Sequence, residues 1–310
     1  MARRTQVQAP VPFLSTSHIC RESLRILLNH PSHFHFVSVF LFSPYPASLF
    51  LSYHLKHHFS NKNSSLHGFI TNTLVMNGVS LPETFFLMLS NSTLSFIMCF
   101  PLYITFSLLA KAAVSQAVKD SYDGIKPSIE STLHDIRGGL IWAKMIHTCV
   151  WEKIITVGFH FFFLILLKLV FNAFFSLHLG QKMWVFWAVL GVVCVFYCIG
   201  LANIIIVCNL AGILPVLEAD SYGFEAMIRA NNLIRERRQT ALIMALITKL
   251  NLGFIECLFE HKMSRSLGLW EVPMLVSMYS LVLVMENIMT AVFHRMCRVW
   301  DMAFELNDIV

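Results

Sequence analysis

Six stretches of this chain are apolar for close to the ~20 residues that a helix needs to cross the hydrocarbon layer of a bilayer. They are 34–55, 85–110, 154–175, 184–207 (reaching toward Leu214), 241–259 and 273–293. Inside lipid, backbone N–H and C=O groups find no water, so a spanning segment must satisfy them within itself as a helix or within a closed barrel. Continuous apolar runs of this length fit helices, and the reading is an all-α membrane protein with six transmembrane helices in three hairpins. Only 13% of the residues are charged, against roughly 25% in a soluble domain. Most of the surface is therefore expected to meet lipid or other helices. The net charge of +5 is too modest to imply a nucleic-acid partner.

Prolines mark the weak points of these runs. Ser43-Pro44-Tyr45-Pro46 interrupts the first, and Pro101 lies inside the second. Each removes a backbone donor, so a kink or break is expected there.

Lysine and arginine orient the spans. Arg3, Arg4, Arg21 and Arg25 precede the first span, and Lys111, Lys119, Lys126, Arg137, Lys144 and Lys153 lie between the second and third. Arg229, Arg235, Arg237 and Arg238 lie between the fourth and fifth, and Arg295 and Arg298 follow the sixth. These sixteen share one side; Lys56, Lys62, Lys182, Lys262 and Arg265 occupy the other. The positive-inside rule then places both termini in the cytosol. The organisation that follows is a cytosolic segment 1–33 with a short amphipathic helix, a six-span domain 34–293 and a cytosolic tail 294–310. The first apolar run begins too far in, and lacks a cleavage site, for a secretory signal, so the first span is expected to act as an uncleaved anchor. Met1-Ala2-Arg3-Arg4 has the form of an endoplasmic-reticulum retention signal, although two arginines obeying the charge bias is the simpler account. The expected residence is the endoplasmic reticulum or the plasma membrane. Asn63-Ser64-Ser65, in the first non-cytosolic loop, is a glycosylation sequon.

Charge inside an apolar span is expensive and usually faces the bundle interior with a partner. Lys168, Lys249, Glu256 and Glu286 are such residues. Counting ~1.5 Å of rise per residue from the cytosolic ends, Lys249 is level with Glu286, and Lys168 with Glu256. The expected pairs are therefore Lys249–Glu286 and Lys168–Glu256. His160, Asn203, Asn209 and Asn251 are expected to hydrogen-bond from helix to helix.

The cytosolic segments repeat. Ser121-Tyr122 and Ser221-Tyr222 stand 100 residues apart, as do Leu133 and Leu233, and Arg137 and Arg237. Glu22-Ser23-Leu24-Arg25 begins a shorter third copy. The implied unit is a cytosolic amphipathic helix followed by a hairpin. Ile129, Leu133, Ile136 and Leu140 have helical spacing, and so do Ala226, Met227, Ala230, Leu233 and Ile234. Arg229, Arg235, Arg237 and Arg238 lie mainly off the second stripe. Two arrangements are open: the stripes lie in the membrane surface with arginines on anionic headgroups, or they pack on the spans.

Through Leu217-Glu218-Ala219-Asp220-Ser221-Tyr222-Gly223-Phe224-Glu225-Ala226 and Leu233-Ile234-Arg235, the chain resembles a plant family of uncharacterised six-span transmembrane proteins. More distantly it resembles the membrane domain attached to bacterial glycerophosphodiester phosphodiesterases. The resemblance implies a membrane module, covers about 18–300, and brings no catalytic residues; no phosphodiesterase domain is expected after Val310.

No G-x-S-x-G, H-E-x-x-H, P-loop or G-x-G-x-x-G occurs. The eight Cys include no CxxC and no zinc spacing. His54, His57, His58 and His67 lack an acidic or thiol companion, so no metal and no cofactor are expected. The function that requires least is a non-enzymatic membrane scaffold or adaptor, presenting basic helices to lipid headgroups or to an unidentified protein partner. The alternative is a small-solute or ion transporter built on the Lys/Glu pairs.

Overall fold

In the computed structural model, residues 12–60, 103–127, 140–176, 183–218, 220–235, 237–263 and 270–308 are described, and among them every regular element is helical. In chain order these are α1 (Pro12–Asn29), α2 (Pro31–Phe36), α3 (Pro44–Ser60), α4 (Leu108–Tyr122), α5 (Leu140–Ser176), α6 (Met183–Ala211), α7 (Leu214–Leu217), α8 (Gly223–Ile234), α9 (Arg238–Met263) and α10 (Glu271–Asp308). Two π-helical turns, Val37–Phe42 and Tyr103–Ser107, precede α3 and α4. Among the described residues, five stretches are long and apolar enough to cross a membrane: Pro31–Ser52, Ile141–Phe174, Trp187–Leu217, Arg238–Lys262 and Glu271–Val299. The run 85–110 falls mostly outside the described residues, as do Asn63, His67, Pro101, Ile129, Leu133 and Ile136.

The chain divides into two compact units. One comprises Met1–Ile26, Ser115–Ile247 and Glu286–Val310. The other comprises Leu27–Val114 and Thr248–Met285.

The first unit is organised by the α5–α6 pair. Phe163 stacks on Tyr197 at 4.0 Å between ring centres, and Phe159 crosses closely over Gly200. The two contacts lie at mirrored distances from the 177–182 connection, so the helices run antiparallel. None of the apolar window of Ile141–Phe174 is buried, and 6% of that of Trp187–Leu217. Phe161, Phe162, Leu169, Trp187, Val195 and Phe196 all point outward. A helix apolar on every side and unburied by protein is built for lipid. This outer face accounts for a departure from expectation. His160 bonds the Thr156 carbonyl at 2.7 Å and Asn203 donates to the Ile199 carbonyl at 2.9 Å. Both turn back onto their own helices instead of reaching another by hydrogen bond, the usual recourse of a polar group with no acceptor across from it.

At the inner end, α8 packs on both α5 and α6. Its stripe Ala226, Met227, Ala230, Leu233 and Ile234 is buried, so of the two arrangements left open the stripe takes the one against the long helices. α1 is amphipathic in the same manner, burying Thr16, Ile19, Ser23 and Ile26 at spacings of three and four.

In the second unit the expected break at Ser43–Pro46 is a π turn. The Ser43 N–H reaches five residues back to the Ser38 carbonyl at 3.1 Å. That shift frees the Val39 carbonyl, which accepts the Ser43 hydroxyl instead. Such widened turns are a standard accommodation of a proline that cannot donate. Beyond it, Phe50 of α3 stacks on Phe259 of α9 at 4.3 Å and meets Tyr279 of α10 edge-on at 5.9 Å. Leu252, Ile255 and Leu275 complete that core.

Candidate functional site

The charged residues singled out from depth separate into the two units, Lys168 and Glu286 in the first, Lys249 and Glu256 in the second; each expected pair draws one member from each. Within the first unit, Glu286 is half-buried on α10 and accepts a 2.9 Å hydrogen bond from the Asn209 amide of α6. Asn209 thus does bond from helix to helix. Lys168 is exposed on the outer face of α5. Within the second unit, Glu256 is half-buried and accepts the Tyr279 hydroxyl at 3.0 Å, and Lys249 is exposed on α9.

The densest polar arrangement lies elsewhere, around a carboxylate that a search of apolar windows passes over. Glu218 is the first residue after α7, just past the end of the fourth apolar run. Pro215 and the buried Ile213 and Leu214 fix the turn that presents it. Its Oε1 accepts the Nε2–H of His294 at 3.0 Å, with Arg298 Nε at 3.9 Å. Its Oε2 lies 3.6 Å from Arg229 Nε and 3.5 Å from the Ser221 hydroxyl. His294 and Arg298 are one turn apart on α10, so both reach the same oxygen. The His294 side chain is 4% exposed and that of Glu218 14%. The His294 N–H bond, followed by the positive charges of His294, Arg229 and Arg298, outweighs burial and pulls the Glu218 carboxyl down to about 2. It is therefore an anion at any physiological pH, tying α7, α8 and α10 together.

The turn after Glu218 is equally specific. Gly223 opens α8 with φ of +63°, a region favourable only to glycine. Its N–H donates to the buried Thr148 hydroxyl of α5 at 2.8 Å, and a Cβ there would strike the His147 ring. Tyr222 lies under the Lys144 ammonium at 5.5 Å, and Phe224 packs on Trp151 at 5.4 Å. The Glu-x-x-Ser-Tyr-Gly-Phe segment is thus the fastening of α8 to α5 and α10. Its partial repeat keeps one feature, since Gly124, after Ser121-Tyr122-Asp123, also has positive φ, +73°.

Beside this fastening a cleft of about 270 Å³ opens between the end of α4, α7 and α10. Val118, Lys119, Tyr122, Asp123 and Leu217 line one side, and Ala291, His294, Arg295, Arg298 and Val299 the other. The Arg295 guanidinium lies 4.0 Å from the centre of the Tyr122 ring. Burial, then the nearby Glu22 carboxylate, push the Tyr122 phenol above its ordinary range, so it keeps its proton. Arg229, Arg235, Arg237 and Arg238, named from the sequence, do not line this cleft. Arg229 is engaged with Glu218, Arg238 reaches the Asn231 side chain at 3.4 Å, Arg235 is exposed and Arg237 half-buried. Among the described residues no group of three or more His, Cys, Asp or Glu is placed to hold a metal.

Fold and site together define a protein whose described elements are all helical, with five helices of bilayer-crossing length among the described residues and a basic, carboxylate-fastened end. Residues 5–301 match a domain of unknown function, DUF8558, and the chain belongs to that family. No curated protein and no solved structure matches the chain.

Proposed function

We propose that this chain is a multi-pass membrane protein with six spans and both termini in the cytosol, and that it serves as a non-enzymatic scaffold. Its basic cytosolic end would engage anionic headgroups or a protein partner, in the endoplasmic reticulum or the plasma membrane. One observation carries the reading: the Glu218 fastening ties α8 to α7 and α10, and Arg235, Arg237 and Arg238 follow at the α8–α9 junction. Cations beside lipid gain about 1 kcal/mol per residue from an anionic surface. The charge asymmetry of the loops supports the orientation. The test is lipid retention by the full-length protein, purified in mild detergent from membranes of mixed lipid. Phosphatidylserine should be enriched over phosphatidylcholine, and Arg235→Gln with Arg237→Gln and Arg238→Gln should remove the enrichment. Equal retention by wild type and variant would count against the platform.

A second reading, transport, is favoured by the carboxylates of Glu256 and Glu286, each half-buried in an apolar helix and each accepting a side-chain hydrogen bond. Its signature is solute or ion flux in proteoliposomes above that of empty vesicles, abolished by Glu286→Gln. The scaffold reading expects no flux from either protein.

A further inference from the structure

We infer that the cleft between α4, α7 and α10 is a binding site for a phosphomonoester. Three cations face it, Lys119, Arg295 and Arg298, against one carboxylate, Asp123. Glu218 is bonded to His294 and offset by Arg229, so the cleft keeps an excess of two positive charges. A phosphomonoester near neutral pH carries about −1.5 to −2, which matches.

The guanidinium donors are only loosely engaged by the described residues. Among the described residues, the carboxylate oxygens that pair with Arg295 and Arg298 are at 4.0 and 3.9 Å, beyond hydrogen-bond reach. Neither guanidinium donates a hydrogen bond to a described residue, and Lys119 is exposed with no described partner. Two planar forks and a compact ammonium are the set that grips phosphate oxygens. The phenol of Tyr122 adds an O–H donor and a face that holds Arg295 in place. Size points the same way, since about 270 Å³ lies just below the range of drug-sized pockets and suits one headgroup. Leu217, Ala291 and Val299 give an apolar rim for the carbon part.

The phosphate could belong to a lipid headgroup or to a soluble ester. Only the lipid source rests on the orientation proposed above; the site itself does not. The experiment titrates full-length protein in neutral maltoside detergent with dioctanoyl phosphatidic acid, glycerol 3-phosphate and dioctanoyl phosphatidylcholine, by calorimetry. Saturable binding of a phosphomonoester is expected, with phosphatidylcholine at least tenfold weaker. Arg295→Gln with Arg298→Gln should weaken binding at least tenfold, and Lys119→Gln severalfold. Arg21→Gln, which removes an equally exposed cation on α1, should change nothing. Phosphatidic acid binding alone assigns the site to lipid, and binding of both esters assigns it to the phosphate group whatever its source; each supports the inference. Wild type that binds neither ester saturably overturns it, as does a loss of equal size from Lys119→Gln and Arg21→Gln. If the double arginine variant does not fold, Lys119→Gln decides.

Discussion

Two glycines with positive φ do different work, and substitution separates them. At Gly124 a Cβ meets nothing within 4 Å, so Gly124→Ala should cost only the left-handed backbone term of about 1 kcal/mol. At Gly223 the same change adds the collision with His147 and strains the bond to Thr148. Gly223→Ala should therefore lower stability by clearly more, about 3 kcal/mol. Thermal melting of both variants in one detergent checks the order, and equal losses would contradict it. Glu218 gives a pH signature. Its folded value is depressed to about 2 from the ordinary 4.5, so the unfolded chain binds the proton more tightly. The stabilisation is fully present above about pH 4.5 and is lost as pH falls toward 2. A melting series over that window should show the decline in wild type and a flatter profile in Glu218→Gln. At neutral pH the variant should be less stable by about 2 kcal/mol, the scale of a lost hydrogen bond to a charged group.

Among the elements, burial decides which aromatic residues matter. Phe50 lies between Phe259 and Tyr279 and is 1% exposed; Phe50→Ala should cost about 3 kcal/mol. Phe161, on the outer face of α5 and 64% exposed, touches lipid or detergent in either state, and Phe161→Ala should shift the melting temperature little. The helices were legible in the sequence wherever apolarity runs unbroken, and so was the break at Pro44, because a missing N–H has a local consequence. Their lengths were not. α5 begins fourteen residues before the expected 154, and α10 runs fifteen past 293, through segments whose charges resemble a loop. At ~1.5 Å per residue, the 37 residues of α5 extend about 55 Å, well over the ~30 Å hydrocarbon layer. The repeat was legible in letters, but its meaning, a tyrosine followed by a glycine in left-handed geometry, needed the backbone.

On the scale of the whole molecule, the topology is open to one direct check. If both termini are cytosolic, as proposed, a glycosylation-acceptor tag fused to either end should remain unmodified, and Asn63 would face the side where modification occurs. A glycosylated C-terminal tag would refute the even number of spans. The sites were less legible than the helices. Glu256 and Glu286 stand out because charge inside an apolar window is rare. Glu218 does not, because it lies past the end of the fourth apolar run, where charge is commonplace. Its importance comes from His294 and Arg298, 76 and 80 residues later, and no local pattern joins them.

That separation has a consequence for how the protein is made. During synthesis α7 and α8 emerge with Glu218 and Arg229 already close in sequence, but His294 arrives only with the last helix. Until then the carboxylate lacks its strongest donor. An insertion intermediate halted before α10 would therefore hold α7 and α8 without the His294 donor, and the fastening closes only when the last helix is in place.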